Sequence, residues 1–257
     1  MENIKRVLSF VRRALDDYSM IEDGDKIAIG VSAGKDSLTL LCAMAEIRRF
    51  YPKKFDLLAI TVDMGFEGMD FSPVKRFCEE LGVEYEIVPT QISKIIFDVR
   101  KEKNPCSLCA KMRRGALYNY AKERGCNKVA LGHHFDDVVE TFMLNLFYEG
   151  RLGCFQPVTY LSNTDITLIR PMIYMPEKDV RYFASKTELP IQKSPCPADG
   201  NTEREEMKKL LATLERENKG LRYRIFGAIQ RGEIDGFHEV GKMQGIKAYE
   251  PEVSDEQ

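Results

Sequence analysis

Within residues 32–37 of this 257-residue chain, Ser32, Lys35, Asp36 and Ser37 surround the small Ala33 and Gly34. Two hydroxyls, a cation and an anion in so short a turn suit phosphate chemistry. Residues 27–31 before it, Ile-Ala-Ile-Gly-Val, read as a short buried strand, and 38–44 after it as a helix with a buried face. That order makes an anion site, because the first N–H groups of a helix lack intrahelical partners and its dipole favours negative charge. The Walker A loop requires G-x-x-x-x-G-K-[ST]. Counting back from Gly34 puts Ile29 at the first glycine, and Asp36 stands where Ser or Thr should follow the lysine. The turn is therefore an anion site of another kind.

A second chemistry lies in the cysteines. Asn104-Pro105-Cys106-Ser107-Leu108-Cys109 carries a C-x-x-C pair, and Ser194-Pro195-Cys196-Pro197 lies far downstream. The pair alone fits a redox disulfide, half a zinc site or part of an iron–sulfur cluster. A second complete pair would favour zinc, and Cys196-Pro197-Ala198-Asp199 has only one cysteine. Three thiolates can hold a four-iron cluster and leave one iron open. Cys42, Cys78, Cys126 and Cys154 sit in or beside apolar stretches and read as small core residues.

The elements that must position these groups follow from periodicity. Residues 2–17 show a helical face, and 55–62 form a second apolar run ending at Asp63. A helix over 71–81 stops at Gly82, a strand over 83–88 follows, and 92–99 suit a short helix. A Pro-Cys turn at 105–109 precedes a helix to about Arg124. A fourth strand at 127–131 leads into Gly132-His133-His134-Phe135-Asp136-Asp137 and another helix. Strands alternating with helices predict an α/β protein with a parallel sheet covered on both faces. Ligands of such sheets sit at the carboxyl ends of the strands, where the 32–37 loop, Asp63 and the 132–137 segment all fall. Asp63 suits a hydrogen bond to ribose or adenine, and Gly132 allows close backbone approach. Asp137 offers hard oxygens to Mg²⁺, while Asp136 and Asp137 equally suit a helix start.

Beyond Gly150 the rhythm changes to a hairpin over 158–161 and 166–169, then helices over 176–187, 203–219 and 221–229. The predicted organisation is a nucleotide-binding domain over 1–200 and a helical extension with a loose tail over 201–257. Hydrophobic residues at 44% and charged residues at 30% are ordinary for a globular chain. No apolar run reaches the ~18 residues of a membrane helix. The amino terminus lacks an apolar signal core, which predicts a cytoplasmic protein without membrane association. Seven cysteines in a reducing compartment suggest metal, cluster or thiol chemistry at a few of them.

The 32–37 turn resembles the PP-loop, S-G-G-K-D-S, of the N-type ATP pyrophosphatases, with Ala33 replacing the first glycine. This loop, the C-x-x-C followed by Lys111-Met112-Arg113-Arg114-Gly115, the 132–137 segment and Arg170-Pro171-Met172 come in one order. Together they resemble the tRNA 2-thiocytidine synthetase (TtcA-like) family, from the N-terminal helix to about residue 215. The resemblance implies a Rossmann-like, adenine-nucleotide alpha-hydrolase-like core, and an ATP-dependent tRNA sulfurtransferase using Mg²⁺ and a [4Fe-4S] cluster. It implies cluster ligands at Cys106, Cys109 and Cys196, with Asp199 standing where many members have a further cysteine. It implies nucleotide contacts at Gly30, Ser32, Gly34, Lys35, Asp36, Ser37, Val62, Asp63, Arg113, Gly132 and Asp137. Lys35, Asp36, Asp137 and Arg113 would serve catalysis, Arg113 at the α-phosphate. The implied reaction adenylates the base carbonyl, releases pyrophosphate and inserts sulfur carried at an open iron. Zinc-ribbon cysteine pairs, found at the ends of related 2-thiouridine enzymes, are absent here, which favours the thiocytidine branch.

The implied partners are tRNA, a sulfur donor (a cysteine desulfurase or sulfide) and a second copy of the chain in a homodimer. Net charge is −2, so an RNA site must be a local basic patch. Lys94, Arg100, Lys101, Lys103, Lys111, Arg113, Arg114, Lys122 and Arg124 form one candidate. Lys208, Lys209, Arg216, Lys219, Arg222, Arg224 and Arg231 form another. Tyr118 and Tyr120 suit either base stacking or core packing. An Ala at position 33 calls for backbone angles an L-residue tolerates, and a positive φ there would count against nucleotide binding. The rival readings are a lysidine synthetase-like adenylating enzyme, a cluster-dependent thiobase desulfidase, and a nucleotide- or cluster-binding protein without turnover.

Overall fold

The computed structural model describes residues 4–100, 105–193, 195–197 and 203–239. Lys101, Lys103, Asp199 and the tail from Gly241 lie outside these residues. A six-stranded sheet in the order β3-β2-β1-β4-β6-β5 organises the chain. Its strands are β1 (Asp25–Gly30), β2 (Phe55–Asp63), β3 (Glu84–Pro89), β4 (Lys128–Ala130), β5 (Val158–Leu161) and β6 (Ile166–Ile169). All neighbours run parallel except the β5–β6 hairpin. Register aligns Ile29 with Ala59 on one side and with Ala130 on the other.

Side-chain alternation explains the two covered faces. Ile27, Ile29, Leu57 and Ala59 enter the larger core, while Ala28, Leu58 and Ile60 point into the second. Helices α1 (Ile4–Asp17), α2 (Lys35–Arg48) and α3 (Ser72–Glu80) contribute to the larger core. α2 is buried nearly all round, as expected of an apolar helix held between a sheet and further helices. The short α4 (Ile92–Lys94) continues as a π-helical turn, Ile95–Val99. α5 (Pro105–Glu123) covers the opposite face through Leu117, Tyr118 and Ala121. Tyr118 is thus a core residue.

α6 (Phe135–Tyr148), α7 (Glu177–Lys186), α8 (Glu203–Glu217) and α9 (Leu221–Arg231) complete the layer over the larger core. Met207, Leu211, Phe226 and Ile229 from α8 and α9, and Phe237 beyond them, belong to that same core. The sequence placed 105–109 in a turn before a helix. The structure instead has 105–109 already helical, as part of α5.

Candidate active site

The strand order reverses between β1 and β4, and the segments leaving these two strands face one crevice at the carboxyl end of the sheet. The loop after β1 is pinned from below. Val31 N–H donates to Ile60 O at 2.8 Å, and the buried Thr61 hydroxyl donates to Val31 O at 2.8 Å. Tyr85 O–H donates in turn to Thr61 Oγ1 at 2.9 Å. Within the loop, Ser32 N–H donates to Ser37 Oγ at 3.1 Å, and Ser37 O–H donates to Gly34 O at 3.0 Å. Gly34 is the N-cap of α2 and gives it no side-chain cap.

Ala33 has φ +57°. The expectation of an ordinary backbone there is overturned. The left-handed region is allowed to L-residues at about 1–2 kcal/mol. Gln192 N–H holds the bend by donating to Ala33 O at 3.0 Å.

Gly132 lies against the loop itself. A Cβ there would meet Asp36 C and O at 3.1 Å and Ser37 N at 3.2 Å. Gly30 is similarly crowded by Leu117 and Leu131. His134 caps α6: Asp137 N–H donates to His134 Nδ1 at 3.4 Å, and His134 N–H donates to Asp137 Oδ2 at 2.9 Å. His133 stacks on Phe155, and burial pushes its pKa down to about 4, so it is neutral. At the end of β2, Asp63 Oδ1 accepts from Gly65 N–H at 2.9 Å, and Val62 packs on the second core.

The charges around the crevice form one connected group. Lys35 Nζ lies 3.0 Å from Asp36 Oδ1 and 3.2 Å from Glu177 Oε1. Arg204 contacts Asp137 Oδ1 at 3.0 Å, and Arg222 contacts Asp136 Oδ1 at 2.8 Å. Burial alone would raise the Asp137 pKa, but His134, His133, Arg204 and the His134 N–H together hold it below the usual carboxylate range. Glu177 is likewise held down at about 2: burial opposes its charge, and Arg181, Lys35 and Lys208 outweigh that. Glu140 behaves oppositely, raised to about 6 by burial and by Asp137.

Thr61, Glu140, Glu177 and Arg204 escaped the sequence reading. Their visible signals are a hydroxyl inside an apolar strand, a carboxylate beside Val138-Val139, an acid after Pro176, and a cation one turn before Lys208.

The cysteines sort into two sets. Cys42, Cys78, Cys126 and Cys154 are buried, as expected of core residues. Burial pushes the thiols of Cys42, Cys78 and Cys154 up to about 12. Cys106 is exposed, and Cys109 and Cys196 are half-buried. Burial raises the Cys109 thiol, Arg113 one turn away lowers it, and both Cys196 and Cys106 lie close enough to raise it further. Arg113, Cys196 and Cys106 are thus near enough to Cys109 for their charges to act on its thiol. Among the described residues, no group of three or more Cys, His, Asp or Glu side chains is gathered at metal-ligating separations. Arg170 is buried, stacks on Phe155 and donates to Gln156 O and Thr159 Oγ1.

Lys111, Arg113 and Arg114 are exposed beside the cysteines. In the other basic group, Arg222 and Lys208 pair with Asp136 and Glu177. Among the described residues no helix is long and apolar enough to cross a membrane.

Sheet order and loop position define a doubly wound α/β protein with a phosphate-type turn at its switch point. The PP-loop domain family matches residues 5–215. The tRNA-cytidine(32) 2-sulfurtransferase of Geobacter sulfurreducens is 39% identical over 228 residues, 88% of this chain and 89% of that protein. The protein of the same name from Pseudomonas entomophila is 39% identical over 230 residues, covering 88% and 83%. The solved structure of the U34-tRNA thiolase NcsA from Methanococcus maripaludis, with its [4Fe-4S] cluster, is similar with a TM-score of 0.74 at 31% identity. It covers 94% of this chain and 81% of that one. The chain belongs to the PP-loop family, in the group of the tRNA-cytidine(32) 2-sulfurtransferases. Ala33, whose φ is positive, lies inside the residues that the family matches.

Proposed function

We propose that this chain is an ATP-dependent tRNA sulfurtransferase that converts cytidine to 2-thiocytidine. The observation that carries this reading is the attachment of the cysteine segment to the phosphate loop. Gln192, four residues before Cys196, is bonded to Ala33 O, while Cys196 neighbours Cys109. Family membership supports the use of ATP, and the named activity of the relatives supports sulfur transfer to tRNA cytidine.

C2 of cytidine is an amide-like carbonyl with a poor oxygen leaving group. Transferring the AMP part of ATP to that oxygen makes it a good one and releases pyrophosphate. Lys35 and the first N–H groups of α2 stabilise the charge developing on the pyrophosphate. Gly34, Ser32 and Ser37 hold the loop in shape for this, with Asp36 restraining Lys35. Gly30 and Gly132 allow α5 and the 132–137 segment to close on the loop, and Val62 and Asp63 border the adenosine. Arg113 serves the α-phosphate from the helix that begins with the cysteines.

The charged carboxyl of Asp137 fits Mg²⁺, a hard cation that keeps only one or two carboxylate ligands. Asp137 would hold the ion on the phosphates. Cys106, Cys109 and Cys196 suit a [4Fe-4S] cluster by their chemistry, three soft donors outside the core, and their side chains would have to gather further to hold it. When bound, the cluster supplies an iron without a protein ligand, at which sulfur can be held. Exposed Lys111 and Arg114 would meet tRNA phosphates. The further partners in this reading are a cysteine desulfurase or sulfide as donor and a second copy of the chain, in the cytoplasm.

Anaerobically reconstituted protein should release pyrophosphate from ATP only when tRNA is present. Cys196→Ala should lose iron and sulfide, and with them 2-thiocytidine formation, while still binding ATP. ATP binding without tRNA-dependent pyrophosphate release would overturn the enzyme reading, and a colourless protein holding zinc would overturn the cluster. Mass analysis of tRNA nucleosides from cells lacking the protein identifies the product.

A further inference from the structure

We propose that α8 completes the phosphate site: Lys208 is a second phosphate-binding lysine, and the Glu177 carboxylate is the positioning group that holds it beside Lys35. This rests on the ATP reading above. Lys208 Nζ donates to Glu177 Oε1 at 3.2 Å, the same oxygen that lies 3.2 Å from Lys35 Nζ, and it stands 3.1 Å from Oε2. Two ammonium groups meeting at one carboxylate oxygen repel each other and are not both neutralised by it. A polyanion bridging them relieves that repulsion.

The arrangement is held from three sides. Glu177 is fixed by its own N–H, which donates to Asp136 Oδ2 at 2.6 Å, and by Arg181 on Oε2 at 2.8 Å. Lys208 is fixed by its helix, whose Met207 and Leu211 are buried in the core. Arg204, one turn earlier on the same face, is anchored to Asp137.

Exposure sets the polarity of this charge group. Side chains of Lys35, Lys208 and Arg204 are 29%, 30% and 41% exposed, whereas Glu177, Glu140 and Asp137 are 9%, 2% and 18% exposed. Asp36, an acid at 34%, and Arg222, a cation at 14%, are the exceptions. An incoming ligand therefore meets a mainly cationic layer lying over buried carboxylates. The ligand class is the polyphosphate of a nucleoside triphosphate rather than an RNA phosphodiester, because Lys208 shares its carboxylate oxygen with the loop lysine.

The test is calorimetric titration of ATP, pyrophosphate and AMP, without tRNA, into the full-length wild type, Lys208→Met and Lys208→Arg. Lys208→Met should weaken ATP and pyrophosphate by about tenfold, the scale of one charge-assisted hydrogen bond. It should leave AMP unchanged, and Lys208→Arg should restore most of the loss. Thermal melts establish that the variants fold. Made in a Glu177→Gln background, Lys208→Met should cost less, because the lysine is no longer held. Equal losses in both backgrounds would overturn the positioning role of Glu177. Unchanged ATP affinity in Lys208→Met would overturn the proposal and leave the ATP reading intact. Failure of the wild type to bind ATP or pyrophosphate would remove both.

Discussion

Ala33 concentrates the residue-scale physics of this loop. Its φ of +57° strains an L-residue, yet its methyl group is fully buried in the core. Replacement by glycine removes the strain but also removes a buried methyl, worth about 0.8 kcal/mol, and adds freedom to the unfolded chain. These effects oppose, so Ala33→Gly should change stability by less than about 1 kcal/mol. Ala33→Val puts a branched side chain at positive φ in a filled space and should cost more than about 2 kcal/mol. Urea unfolding of the two variants checks the contrast, and equal stabilities would mean the loop can relax its bend. The loop motif was legible residue by residue, because its types and order are local. Its left-handed bend was not, because a backbone angle is decided by what the surrounding structure holds in place.

Among the elements, the contact between the 132–137 segment and the start of α2 governs the site. Gly132 faces backbone atoms of Asp36 and Ser37, which have no rotamer to move aside. Gly132→Ala should therefore push the two segments apart. The expected result is a loss of about 1–3 kcal/mol in stability, together with weaker ATP binding, read by thermal melting and nucleotide titration. A variant with wild-type melting and wild-type affinity would show that the gap is not needed. The sequence marked Gly132 for close backbone approach, and the approach seen here is to the loop's own backbone. Strand–helix alternation was legible from periodicity. The helical state of 105–109 was not, because a Pro-Cys-x-x-Cys stretch suits a turn and a helix equally well.

At the scale of the whole molecule, helices α6 to α9 bury carboxylates and cations in one network over the core, and stability becomes pH-dependent through it. Burial and the neighbouring Asp137 raise the Glu140 pKa from its ordinary 4.5 to about 6. An acid whose pKa is raised binds more protons folded than unfolded between those values, so its contribution to stability falls as pH rises from about 4.5 to about 6. Glu177 has the opposite sign: held at about 2, it contributes stability above pH 4.5 that is lost as pH falls toward 2. Glu140→Gln should accordingly be more stable than wild type above pH 6, by up to about 2 kcal/mol, with the gap closing below pH 4.5. Denaturant melts at pH 4.5, 6 and 7.5 measure it. A gap independent of pH would mean that Glu140 does not titrate as its burial implies.

By itself the sequence determined the parallel α/β layout, the loop at the end of its first strand, which four cysteines are buried, and the family. These depend on local order and on a two- or 3.6-residue period, both written along the chain. Only the tertiary structure decided which charges meet. Glu177 and Lys35 are 142 positions apart, and Lys208 is a further 31 beyond Glu177, yet all three meet at one carboxylate. No local pattern encodes that meeting, because it arises where α7 and α8, placed by Val180, Met207 and Leu211 in the shared core, carry polar side chains to the end of the sheet.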